Sequence, residues 1–193
     1  MKQLVFLLEE RSMKILLEGL LPRLMPEIPF ICIPHEGKKD LEKSIPRKLK
    51  AWRDPETLFV IIQDNDGGDC QLLKARLMSM SRGTNRADVL VRIACQELEA
   101  WYFGEPAAMA KAFGNDQLKE IGHKAQYRDP DSIQKPSKEL AQLIPEFQKI
   151  SGARGMAAHL TRNGNSSRSF QVTMEGLERL SASLRVYAEA EEK

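Results

Sequence analysis

Cysteine is scarce in this chain: Cys32, Cys70 and Cys95 are the whole supply. The number is odd and no two form a C-x-x-C pair. That excludes a disulfide framework and a zinc knuckle, and it fits a reducing, cytoplasmic setting. Long apolar runs are also missing. None approaches the roughly 20 residues that a membrane span needs, so no membrane partner is expected. The apolar start, Leu4 to Leu8, is cut short by Glu9, Glu10 and Arg11, too soon for a signal peptide. There is no G-x-x-x-x-G-K-[ST], so nucleotide hydrolysis by a P-loop is excluded. Charge of one sign is not in excess either. A net charge of +2 neither announces nor forbids a nucleic-acid partner. No internal repeat or low-complexity tract appears. What remains, 42% hydrophobic and 29% charged over 193 residues, is a globular composition for one domain, or one domain with an appendage.

The apolar pattern alternates between two periods. Gln3 to Leu8, "FICI", "TLFVII" and "DVLVRIA" are continuous apolar runs, as expected of strands covered on both faces. Between them lie helical spacings: Met13, Leu16, Leu17, Leu20, Leu21 and Leu24, with Ser12 as the expected cap; then Leu41, Ile45, Leu49 and Trp52; then Leu73, Leu77 and Met80. Each connection is long enough for a helix, so the strands are expected to be parallel. A further helix is expected through "CQELEAWYFG", whose Trp101, Tyr102 and Phe103 read as core rather than as a base-stacking platform. From about Glu105 the chain becomes helical and loop-rich, ending in an amphipathic helix with Leu177, Leu180, Leu184 and Tyr187. The expected division is a core over 1–104 and an extension over 105–193 packed on it.

In an open parallel sheet, ligands bind beyond the carboxyl ends of the strands. After the first strand come Glu9 and Glu10; after the second, His35, Glu36, Gly37 and Lys38; after the third, Asp64, Asp66 and Asp69; after the fourth, Glu97 and Glu99. Parallel strands place all four groups on one rim. Crowded carboxylates repel unless a cation lies between them, and hard oxygen ligands suit Mg²⁺ or Mn²⁺. Asp64 and Asp66 share a side if the chain stays extended. Glycines 67 and 68 then leave room for a ligand. The bland alternatives are a turn with a helix N-cap for the aspartates and a solvated strand end for Glu9 and Glu10. An EF-hand loop is a poor match, because the downstream bidentate glutamate is missing. Lys38 can neutralise a phosphate or simply face solvent, and His35 reads as a loop or cap residue. Between Lys119 and Arg168 nine Lys or Arg stand against five Asp or Glu. Arg154, Arg162 and Arg168 lie there near Gly, Asn and Ser, a mixture that contacts phosphate backbones or covers an ordinary polar surface.

"LLEE" at a first strand tip and "DND" at a later one, on an α/β core, resemble the Toprim fold of topoisomerases, primases and OLD-family nucleases. "PHEGKKDLEKSIPRKL", "DNDGGDC", "VRIACQELEAWYFG", "KAQYRDPD", "KISGAR" and "SSRSF" are similar to a bacterial family, domain of unknown function 4276. The resemblance implies a Toprim-like, Rossmann-like α/β fold: a mainly parallel sheet flanked by helices, with a helical and loop-rich C-terminal extension. It also implies that Glu9 matches the Toprim glutamate and that Asp64 and Asp66 match the metal-holding D-x-D. The glycine that often follows the glutamate is replaced by Glu10, which leaves open which of the pair acts. Glu97 resembles an acidic position in OLD-like relatives.

The function these features point to is a Mg²⁺- or Mn²⁺-dependent phosphoryl-transfer enzyme, a nuclease acting on DNA or RNA. Glu9, Asp64 and Asp66 would bind the metal, Glu9, Glu10, Lys38 and Glu97 would serve catalysis, and Arg154, Arg162 and Arg168 would contact nucleic acid. The rival is a non-catalytic Toprim-like subunit beside an ATPase partner in a defence or repair system. A receiver-like signalling module fits less well, because "VRIACQE" lacks a small hydroxyl residue at the fourth strand tip.

Overall fold

The computed structural model describes residues 3–84, 86 and 89–191; the side chains of 184–191, including the expected helix positions Leu184 and Tyr187, and Asp88 at the start of the fourth run, lie outside the described residues. Four strands, β1 (Leu4–Leu8), β2 (Phe30–Pro34), β3 (Leu58–Asp64) and β4 (Val89–Ala94), form one sheet in the order β2-β1-β3-β4. Every pairing is parallel. Helices α1 (Arg11–Leu24), α2 (Lys38–Ala51) and α3 (Cys70–Arg82) make the crossovers.

The continuous apolar strands follow from burial on both faces, because successive side chains point to opposite sides. Leu4, Phe6 and Leu8 of β1, with Val60 and Ile62 of β3, pack with α1. Val5 and Leu7, with Phe59 and Ile61, pack against Leu41, Ile45 and Leu49 of α2 and Leu77 of α3. With α1 on one face and α2 and α3 on the other, the chain winds outward in both directions from β1 and β3. The order reverses between those two strands, so their carboxyl ends frame a crevice.

The second half holds α4 (Ala100–Phe103), α5 (Pro106–Phe113), short 3-10 segments between Asp116 and Ser132, α6 (Pro136–Leu143), α7 (Lys149–His159) and α8 (Arg168–Glu191). Its apolar residues join the α1-side core, which runs without a break from Leu4 to Phe170 and Leu177. Helices α1 and α7 meet closely: a Cβ on Gly19 would stand 2.7 Å from that of Ala157. Arg23 at the end of α1 donates to the Ala157 carbonyl at 2.6 Å, closing the same contact. Trp101, Tyr102 and Phe103 are buried, and the Trp101 indole donates to Ser169 Oγ at 2.9 Å. The "RDPD" and "SSRSF" stretches meet here, since Asp131 accepts from the Ser169 backbone and from the hydroxyls of Ser167 and Ser169.

Two local expectations are corrected. Ser12 does not cap α1; Glu10 holds the N-cap position in extended conformation, and the Ser12 hydroxyl donates to its carboxylate. The helix expected through "CQELEAWYFG" is only four residues long, because Gln96 adopts a left-handed conformation (φ 65°) and the chain makes a turn before α4.

Candidate metal centre

Glu9 leaves β1 and Asp64 closes β3, side by side at the crevice. One Glu9 oxygen accepts the backbone N–H of Asp64 at 3.1 Å. Asp64 is buried, and its Oδ1 has no hydrogen-bond partner. Across from them lies Glu99, fully buried, with neither carboxylate oxygen hydrogen-bonded. The Tyr102 hydroxyl is likewise buried without a partner.

The electrostatics follow from this crowding. Burial pushes the Glu9 carboxyl up to about 7, against the pull of the Asp64 N–H and Lys38. Burial does the same for Glu99, also to about 7, although Lys149 opposes it. Asp64 is held well above the usual carboxylate range by burial and then by Glu9 and Glu99. Burial raises the Tyr102 hydroxyl too, with Glu99, Glu10 and Asp64 adding to the effect. Buried carboxyls that resist ionisation and lack donors have the chemistry of a cation site.

Two lysines reach the rim. Lys149, the first residue of α7, lies 3.2 Å from Glu10 and 3.8 Å from Glu99. Burial lowers its pKa, but Glu99 and Glu10 more than offset that and raise it. Lys38, the first residue of α2, pairs with Asp66 at 2.5 Å. The chain does not stay extended after Asp64. Asp66 is exposed and left-handed (φ 45°), and its charge is felt at Glu9. The condition under which the D-x-D pair would share a side, an extended chain, is not met: β3 ends at Asp64 and the loop curls immediately. Among the described residues no three His, Cys, Asp or Glu side chains converge as ready-made metal ligands. Asp66 and Glu10 are both engaged by lysines instead. The donor set itself, buried oxygens on Asp64 and Glu99 that accept no hydrogen bond, beside Glu9, fits a hard divalent cation, with Lys149 supplying part of the positive charge at Glu99.

Each remaining candidate has a definite place. Asp69 caps α3, accepting from the N–H groups of Gln71 at 2.7 Å and Leu72 at 2.9 Å. Glu97 accepts from Ser137 N at 2.7 Å, at the start of α6, and is thus engaged apart from the buried oxygens. His35 uses both ring nitrogens, on the Leu8 carbonyl at 2.9 Å and Ser44 Oγ at 2.7 Å. Arg162 pairs with Glu178 and Arg168 with Glu175, both glutamates of α8. Arg154 is exposed on α7, the helix that delivers Lys149. A cleft of about 420 Å³ lined by Glu9, Glu10, His35, Gly37 and Lys149 opens beside the buried carboxylates. Sequence reasoning placed Glu99 on the rim but chose Glu97 for the chemistry, and it passed over Lys149 and Tyr102. A glutamate embedded in the apolar "LEAWYF" was the one local signal for Glu99.

A parallel sheet in the order β2-β1-β3-β4 with helices on both faces is a Rossmann-like, Toprim-like α/β fold. The fold is similar to that of the C-terminal region of the Burkholderia pseudomallei OLD protein, with a TM-score of 0.58 at 13% identity over 93% of this chain and 98% of that one. The chain belongs to the family described as Domain of unknown function (DUF4276), whose model matches residues 8–178. No curated protein matches it.

Proposed function

We propose that this protein is a divalent-metal-dependent phosphoryl-transfer enzyme that cleaves nucleic-acid phosphodiesters. The observation that carries the reading is the set of buried oxygens of Asp64 and Glu99 that accept no hydrogen bond, beside Glu9 at the crevice between β1 and β3, with Lys149 as the one cation near Glu99 among the described residues. Glu9 and Asp64 would hold the ion, joined by Asp66 once it leaves Lys38. A bound Mg²⁺ or Mn²⁺ supplies Lewis-acid polarisation of a phosphoryl oxygen and a more acidic water. Glu99, its carboxyl pushed up to about 7 by burial, is suited to hold or pass a proton near neutrality. Lys149, which lines the cleft, and Lys38, the first residue of α2, would neutralise the phosphate oxygens, and exposed Arg154 would add a contact elsewhere on α7. Nucleic acid as the substrate class rests on the likeness to an OLD protein region and on the basic second half.

The test is single-turnover cleavage of labelled single- and double-stranded DNA and RNA with Mn²⁺. Glu9→Gln keeps the shape and removes the charge, so cleavage should fall by about a hundredfold or more, the scale of one acid/base group. The second reading, a non-catalytic subunit beside an ATPase partner, draws on the lysine-occupied Asp66 and Glu10 and the paired Arg162 and Arg168. It takes over if every substrate stays intact with native protein, alone and with a co-purified partner.

A further inference from the structure

Cys70 and Cys95 lie far apart in sequence, yet their sulfurs are 3.3 Å apart. Cys70 is the first residue of α3, directly after the aspartate loop. Cys95 is the first residue after β4. Both are half-buried thiols, whereas Cys32 is buried on β2. The two attachment points bracket the loop that carries Asp66. Asp66 N–H donates to the Gln96 carbonyl at 2.9 Å, and Gln96 N–H donates back to the Asn65 side chain. The Asn65 amide in turn donates to the Gly68 carbonyl at 2.5 Å. So the residue after Cys95 and the residues before Cys70 already form one hydrogen-bonded unit. A cleft of about 200 Å³, whose lining combines Cys70, Cys95, Val91 and Ile93 with the charged Lys74 and Arg168, gives a small molecule access to both sulfurs.

We propose that Cys70 and Cys95 form a reversible dithiol–disulfide pair, oxidised by a hydroperoxide, that clamps the aspartate loop to the end of β4. Either sulfur can attack first and the balance is the same; Cys70, which opens α3 on that cleft, is taken as the attacker. The Cys70 thiolate attacks the terminal peroxide oxygen; an S–O bond forms, the O–O bond breaks, and the departing alkoxide, or hydroxide when the oxidant is hydrogen peroxide, takes a proton to become an alcohol or water. Cys95 sulfur then attacks the Cys70 sulfenic acid. The S–S bond forms, the S–O bond breaks, and hydroxide leaves as water with the Cys95 proton. Two thiols are oxidised, one hydroperoxide is reduced, and an external dithiol reverses the change. Neither the disulfide framework nor the metal chemistry considered above includes this pair. It does not depend on the proposed nuclease activity, because its readouts need neither metal nor substrate.

The experiment treats the full chain, with a chelator present, with stoichiometric hydrogen peroxide and counts free thiols under denaturing conditions. Two of the three thiols should disappear, with Cys32 retained, and dithiothreitol should restore them. Peptide mapping should find a Cys70–Cys95 crosslink within one chain. Melting temperature should rise by roughly 5–10 °C, as expected for closing a loop of this length in a chain of this size. Amide exchange from Asn65 to Asp69 should slow. Cys70→Ser and Cys95→Ala should each abolish the paired thiol loss. A crosslink between chains, oxidation to sulfinic acid without a crosslink, or equal thiol loss in both variants would overturn the pair. A crosslink that leaves the exchange of the loop unchanged would overturn the clamp.

Discussion

Replacing Glu99 by glutamine should change how stability depends on pH. Glu99 is 0% exposed and neither carboxylate oxygen has a hydrogen-bond partner. Burial is the main cause of its pKa rising from 4.5 to about 7 in the folded protein. The unfolded chain ionises the same group near 4.5, so between the two values the folded state binds more protons than the unfolded state. Stability therefore falls as pH rises through that window and levels off above it. The full effect is about 3 kcal/mol at about 1.4 kcal/mol per pKa unit. Integration from about pH 5 to about pH 8 leaves roughly 2–3 kcal/mol of it in the accessible range. Glu9 acts in the same direction, but water reaches its half-buried carboxylate and screens it, so its share is smaller. Thermal unfolding of native and Glu99→Gln protein, in chelator at constant ionic strength, reads the difference directly. Comparing the two chains subtracts the other titrating groups, and Lys149, its pKa raised, stays charged throughout. Relative to the variant, the native melting temperature should drop by roughly 5–10 °C between about pH 5 and about pH 8. Parallel curves, or a native protein that gains stability with pH, would refute a buried, ionisable Glu99.

Divalent cations should act on the same cluster: millimolar Mg²⁺ or Mn²⁺ at mildly alkaline pH should raise the native melting temperature by mass action, and Asp64→Asn should abolish that rise while stabilising the metal-free protein. A native protein indifferent to both ions would remove the metal reading. Arg154→Ala should weaken nucleic-acid binding about equally across sequences and reduce the salt slope by about one phosphate contact, measured by titration at several salt concentrations. Gly176→Ala should cost roughly 1–3 kcal/mol in urea unfolding, because the new Cβ would stand 2.4 Å from the Arg92 guanidinium wedged between β4 and α8; an unchanged midpoint would show that the guanidinium yields freely.

The parallel sheet was legible because its cause is local. Strands such as Leu4–Leu8 and Leu58–Asp64 must be apolar on both faces to be covered on both, and the helices between them announce themselves by their spacing. The meeting of Glu9 with Asp64 was legible for the same reason: both end strands, and parallel strands end together. Asp69 was legible as a cap, one of the two readings its position allowed. The direction of Asp66 was not, because a two-residue spacing fixes a side only while the chain remains extended, and the turn at φ 45° depends on the Gln96 carbonyl across the sheet edge. Lys149 carried no local signal at all. It reaches Glu10 and Glu99 only because α7 packs on α1 through the small contact of Gly19 with Ala157, a pairing far apart in sequence. The choice between Glu97 and Glu99 was likewise made by packing: the turn at Gln96 sends the first toward the start of α6 and the second into the core. Hydrophobic period and strand ends belong to short stretches of chain and are written there. Which charged side chains share a cavity depends on how distant elements dock, and that is decided only when the core closes.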